Sequence, residues 1–219
     1  MVRKLLNLLF PPKCVLCQRV LTKEEVDFCK SCNSAVVPLP LSKHKLRHIT
    51  KWSALWRYEV DVRESIIRFK FSNRPTYGTV YGKYLAEKIL SDGLTFDIIT
   101  SVPISKKRKW RRGYDQTRII AEAIASATGK PYAETLQKVR HTQPQSLLHT
   151  EAQRRANILG SYCVINAEEI KEKSILLIDD VVTTGSTVSE CARVLLTAGA
   201  KNVSCGAVAS AIKNNHVNR

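Results

Sequence analysis

From Trp52 onward the apolar residues of the chain switch repeatedly between two periods. Short apolar runs at Ser53–Tyr58, Phe96–Val102, Tyr162–Ile165, Ile175–Ile178 and Val203–Ala209 predict strands. Between them the spacing of three and four predicts helices over Val62–Phe71, Tyr77–Leu90, Tyr114–Thr128 and Thr187–Ala198, the last stopped by Gly199. In the third of these, Ile119, Ile120, Ala123 and Ala127 are expected on one face. This alternation implies an α/β fold, a mostly parallel sheet flanked by helices on both faces. Ahead of it, Val36–His48 has no helical period and carries prolines and positive charges, so it reads as a connector. The expected organisation is a small module over 1–40, a linker over 41–51 and an α/β domain over 52–219.

A chain of 219 residues is long enough to bury a substantial core without crosslinks. Its apolar fraction of 44% and charged fraction of 25% exclude a disordered, collagen-like or coiled-coil chain. No apolar run is long enough to cross a bilayer. The N-terminal Met1–Phe10 is apolar but interrupted by Asn7, stopped by Pro11-Pro12 and followed by no small-residue cleavage site. It reads as a short amphipathic helix packing on its own domain, and a cytoplasmic location is expected.

Charge changes the picture. The formal net charge is +16, with 35 Lys and Arg against 19 Asp and Glu. Residues 1–60 hold 11 basic and 4 acidic residues, and residues 103–118 hold 7 basic and 1 acidic. Clustering of this kind points to a polyanionic partner, phosphates or nucleic acid, more than to a solubilising surface.

Cys14, Cys17, Cys29 and Cys32 form two C-x2-C pairs separated by eleven residues. Two such knuckles supply the four thiolates of a tetrahedral structural Zn2+. A redox dithiol needs only one pair, and a disulfide framework needs a Cys-rich chain in an oxidising compartment. Cys163, Cys191 and Cys205 stand singly in apolar surroundings and read as small core thiols.

The most informative segment is Ser174–Thr187. Four apolar residues make a buried strand, Asp179 and Asp180 follow, and Thr183-Thr184-Gly185-Ser186-Thr187 leads directly into a helix. Exposed amides, a helix dipole and several hydroxyls suit a phosphate monoester, and Gly185 removes a Cβ from the approach. The two carboxylates are expected to accept from ribose hydroxyls or to help hold Mg2+. The plainer reading is a helix N-cap after a buried strand. The lysine phosphate loop and the dinucleotide glycine fingerprint are both missing.

Strand, Asp-Asp, two apolar residues and Thr-Thr-Gly-Ser-Thr together resemble the phosphoribosyl pyrophosphate (PRPP) motif of type I phosphoribosyltransferases. Taken over its whole length, the chain resembles the ComF family of phosphoribosyltransferase-like competence proteins. The matching features are Leu5–Cys32 with its four-cysteine, double-zinc-ribbon-like module, Trp56–Tyr58, Lys70, Val102-Pro103, Arg108 through Gln116, and Gln145, Ser146, Leu148, Arg154 and Asn157. Tyr114 and Asp115 stand where Phe and Asn are more usual, and Asp115 adds a charge with no assigned role. The resemblance implies binding of PRPP by Asp179, Asp180, Thr183, Thr184, Gly185, Ser186 and Thr187, a pyrophosphate loop at Val102-Pro103, and a role in DNA uptake during transformation.

After Pro103 come Lys106, Lys107, Arg108, Lys109, Trp110, Arg111 and Arg112. As a loop, only its first residues would reach a small ligand. The surplus, with Trp110 for base stacking, suits single-stranded DNA, although Trp110 fits a packed loop anchor equally well. Thr135–Asn157 is similar to the flexible loop that closes over bound pyrophosphate in this fold. Within it Arg140 and Arg154 are the candidate catalytic grips on departing pyrophosphate, while His141 and His149 are not read as general bases. Two functions remain: a PRPP-binding factor that handles single-stranded DNA beside DNA-processing competence proteins, or an active transferase moving ribose 5-phosphate to a nitrogenous base with Mg2+.

Overall fold

The computed structural model describes residues 11–140 and 150–212. The expected helix at Met1–Phe10 and the residues Gln145, Ser146, Leu148, His141 and His149 lie outside them. Four parallel strands, β1 (Trp52–Arg57), β2 (Ile98–Ser101), β5 (Ser174–Val182) and β6 (Asn202–Ser210), form a sheet in the order β1-β6-β5-β2. A separate antiparallel pair joins β3 (Leu136–Lys138) to β4 (Tyr162–Val164). The helices are α1 (Lys30–Ala35), α2 (Val60–Phe71), α3 (Thr76–Ser91), α4 (Lys106–Arg112), α5 (Gln116–Thr128), α6 (Glu151–Ile158) and α7 (Ser186–Thr197).

The two faces of β5 explain its unbroken apolar run. Leu176 and Ile178 face a core built with α2, α3 and α5, while Ile175 and Leu177 face a second core with α7. A central parallel strand covered on both sides needs apolar residues at every position, not at alternate ones. β5 runs on through Val182, so Asp179 and Asp180 belong to the strand itself and do not merely follow it.

Helices α3 and α5 pack closely because α3 carries Gly78 and Gly82 one turn apart. A Cβ at Gly82 would lie 2.4 Å from Ala123 Cβ, and one at Gly78 would lie 2.7 Å from Ile119 Cγ2. Ile119 and Ala123 thus meet α3, and Ile120, Ala121 and Ile124 fill the core. Ala127, expected on the same stripe, is exposed, one turn beyond the last contact.

The cysteine module is not a separate globule. Val15, Leu16, Leu21 and Phe28 share one apolar cluster with Trp56, Ile66, Phe69 and Tyr81. Phe28 meets Trp56 edge-on at 5.6 Å between centroids and Tyr84 at 4.9 Å. Ser65 Oγ donates to the Val15 carbonyl at 2.5 Å, and Arg68 of α2 donates to the Leu16 carbonyl. The connector is docked as well. Leu46 is buried, and Trp52 Nε1 donates to the His44 carbonyl at 2.6 Å.

Because one cluster spans module and sheet, calorimetry should show a single unfolding transition. Phe28→Ala should lower it by about 3–5 kcal/mol, the usual cost of truncating a buried aromatic. Two resolved transitions, with only the first moved, would contradict the shared core.

Candidate functional site

A cleft of about 460 Å³ opens at the carboxyl edge of β2 and β5. Its floor is Asp179, Asp180 and Thr183, and its walls come from α2, α4, α6 and the β3–β4 pair. Asp179 is buried. Burial, and after it the charge of neighbouring Asp180, pushes its carboxyl up to about 7, against the opposing pull of Lys70 and Lys138. Lys70, at the end of α2, places Nζ 2.8 Å from Asp180 Oδ1. Lys138 reaches the cleft from β3, with Nζ 3.3 Å from the Tyr162 hydroxyl. Its ammonium is depressed to about 8, first by burial and then by Arg108.

Beyond the carboxylates the chain turns through Thr183–Gly185 into α7. Thr184 and Ser186 hydroxyls lie 2.9 Å apart. Gly185 has φ +76, a conformation that suits glycine. Its missing side chain also makes room for protein: a Cβ there would lie 2.3 Å from Leu46 Cδ2. The expectation that this glycine only clears space for an anion is therefore incomplete, since the docked connector fills that side.

The basic run is a helix, not the loop expected from the resemblance. Ser105 caps it by accepting from the Arg108 amide at 3.4 Å, and Gly113 ends it in the left-handed region. Helical spacing divides the six candidate nucleic-acid residues. Arg108, Arg111 and Arg112 line the cleft, whereas Lys106, Lys107 and Trp110 are exposed, Trp110 at 87%. The residues of the run that reach the cleft are thus Arg108, Arg111 and Arg112 and not the first lysines. Arg112 and Arg111 lie 5.0 and 5.8 Å over the ring of Phe71, whose face offsets part of their mutual repulsion.

Val102 and Pro103 line the cleft beside Ile104. Thr187 lines it too, and Thr184, Gly185 and Ser186 continue the loop behind it. Arg154 projects from α6 into the same cleft. Arg140 does not line it. Its guanidinium donates to the Asn157 and Leu159 carbonyls at 3.0 and 2.8 Å, tying down the end of α6. Asp115 receives a structural role: it caps α5, accepting from the Thr117 hydroxyl at 2.8 Å and the Arg118 amide at 3.3 Å. Sequence reasoning assigned no site role to Lys70, Tyr58 or Tyr162. The signal on offer was that Tyr58 and Lys70 both fall among the features shared with the family the chain resembles.

In the N-terminal module the Sγ atoms of Cys14, Cys17, Cys29 and Cys32 all lie within 4.8 Å of one another. Cys17 and Cys29 sulfurs are 3.6 Å apart. A tetrahedron with Zn–S of about 2.3 Å spaces its sulfurs by about 3.8 Å, so the donor set fits zinc with no position left for substrate. Cys191 and Cys205 are fully buried in the core, as expected of packing thiols.

Residues 116–216 match the family described as phosphoribosyl transferase domain, and residues 5–43 match the double zinc ribbon domain. The DNA utilization protein YhgH of Salmonella typhimurium is 29% identical over 201 residues, 87% of this chain and 86% of that protein. Competence protein F of Haemophilus influenzae is 24% identical over 223 residues, covering 91% and 97%. Competence protein ComFC of Streptococcus pneumoniae is 28% identical over 152 residues, covering 68% and 64%. Among the described residues no helix is long and apolar enough to cross a membrane. A double zinc ribbon packed against a phosphoribosyl transferase domain, with such relatives along nearly its whole length, makes the chain similar to these competence and DNA utilization proteins.

Proposed function

We propose that the cleft binds PRPP and that the outer face of α4 binds single-stranded DNA, in the DNA handling for which the relatives are named. The observation that carries the reading is the sorting of charge within one cleft. Two carboxylates sit on the floor, a hydroxyl-rich turn opens α7, and the guanidiniums of Arg108, Arg111, Arg112 and Arg154 stand on the walls. A sugar bearing phosphate at one end and pyrophosphate at the other has that polarity. The Thr183–Thr187 turn would hold the 5-phosphate, Asp179 and Asp180 the ribose hydroxyls, and the arginines with Lys138 the pyrophosphate. Mg2+ would arrive on the pyrophosphate, with Asp179 and Asp180 as the nearest hard oxygen donors. Zinc in the cysteine cluster would brace the fold. These events belong on the cytoplasmic side of the membrane.

Turnover is the second reading. The wall formed by Tyr58, Ile67 and Phe71 gives an apolar flank on which a planar acceptor base would rest. Arg154 would then steady the departing pyrophosphate, with Arg140 positioning its helix.

Three outcomes test the reading. Calorimetry should show PRPP binding abolished in Asp180→Ala, whereas unchanged binding would remove the ribose assignment. Lys106→Glu with Lys107→Glu should leave PRPP binding intact and weaken oligo-dT binding. The log–log salt slope should fall by about 1.4, at about 0.7 per phosphate contact for single strands. Arg108→Ala with Arg112→Ala should do the converse, sparing DNA and losing PRPP. The third concerns Asp179, whose pKa is raised on folding. Its protonated form therefore favours the folded state at low pH, and that contribution is lost as pH rises through about 7. Asp179→Asn should raise the melting temperature more at pH 8.5 than at pH 5.5, measured by scanning fluorimetry. An equal shift at both would refute the buried, late-ionising carboxyl.

A further inference from the structure

Residues 28–58 contain no Asp or Glu and six Lys or Arg. Four of these, Lys43, Lys45, Arg47 and Lys51, fall in one stretch of the connector and are exposed, together with His44 and His48. The stretch is held rigidly. Leu46 is buried against the ligand turn, the Thr50 amide donates to the Val203 carbonyl at 2.8 Å, and the Lys51 carbonyl accepts from the Cys205 amide at 2.9 Å. Its apolar residues point inward and its cations outward. The ion pairs formed among the described residues use other cations. Positive charge fixed at this density without a counter-charge is a surface that needs an external anion.

The surface is also concave. A pocket of about 210 Å³ lies between the connector and α7, lined by His44, Lys45, Arg47, Thr184, Ser186 and Ser189 among others. Its one acidic neighbour, Glu190, is already satisfied by Arg193 at 2.8 Å and the Gly160 amide at 2.9 Å. The pocket therefore sets cations and hydroxyls beside an apolar surface of Leu46, Ile158 and Leu159, a pairing that suits the phosphate and base of one nucleotide.

Position decides which anion. Leu46 packs in the core on the α7 side of the sheet, and α4 stands over Phe71 on the α2 side. The ligand turn lies between the two basic elements. A flat anionic surface cannot touch both faces of a sheet around its edge, but a flexible phosphodiester chain can. Resting on the single-stranded DNA assignment of α4 above, we infer that the 43–51 strap is a second strand contact. A strand on α4 crosses the mouth of the cleft and seats a nucleotide in the strap pocket.

The test reverses Lys43, Lys45 and Arg47 to Glu together, keeping Leu46 and the backbone anchors. In fluorescence anisotropy with labelled oligo-dT, affinity should fall at least about tenfold, and the salt slope by about 2 for three lost phosphate contacts. As a readout independent of mutant folding, ultraviolet crosslinking of a 4-thiothymidine strand to the unaltered protein should label peptide 43–51. If the α4 reversal weakens binding while the strap reversal and the crosslink map show nothing at 43–51, this inference falls and the α4 assignment stands. If neither reversal matters, both fall. Thymidine 5′-monophosphate that binds the strap pocket as tightly as the strand would make it a mononucleotide site and overturn the strand path.

Discussion

Two adjacent carboxylates near the end of a buried strand are the constraint around which the rest of the cleft is organised. An ionised carboxylate out of water is costly unless it is paired, and two side by side repel. Lys70 answers Asp180 from α2, Lys138 stands near Asp179 from β3, and Arg108 and Arg112 bring further positive charge from α4. Each comes from a different element, so the relative placement of four elements is tied to one acidic pair. Asp179 still remains late to ionise, which shows that the protein cations only partly compensate for its burial.

The second organising feature is the shared core. The zinc ribbon places Phe28 against Trp56 and Tyr84, and its first knuckle gives carbonyls to Ser65 and Arg68. A metal module of this size has little core of its own, and here it borrows that of the α/β domain. The connector, in turn, supplies Leu46 to the other side of the sheet. Residues 11–51 thus pack on both layers of the domain they precede.

Much of this was legible because it is written locally. The apolar run Ile175–Ile178, the acidic pair and the Thr-rich turn are contiguous, and strand, turn and helix follow from propensity and glycine alone. The paired cysteines announce a metal cluster through spacing. The helix at Lys106–Arg112 was hidden because the run follows Val102-Pro103, where the resemblance places a loop, and because its six cations in seven residues repel one another. What overrides that is remote: the ring of Phe71 beneath Arg111 and Arg112, and the carboxylate of Asp180 near Arg112. Only Ser105 and Gly113, its two caps, gave a local hint. The same holds for Leu46 on Gly185, a contact between residues far apart in sequence that no periodicity reveals.

One helix carries a geometric consequence of its own. Along α2, Arg68 holds the Leu16 carbonyl of the metal knuckle and Lys70, two residues on, holds Asp180. Each residue of an α-helix turns its side chain by about 100° relative to the last. Inserting or deleting a single residue between these two anchors would swing the lysine to another quadrant while the arginine stayed at its post. The chain can vary in length at its loops, but the last turn of this helix has a fixed phase, set on one side by a carbonyl of the metal knuckle and on the other by a carboxylate.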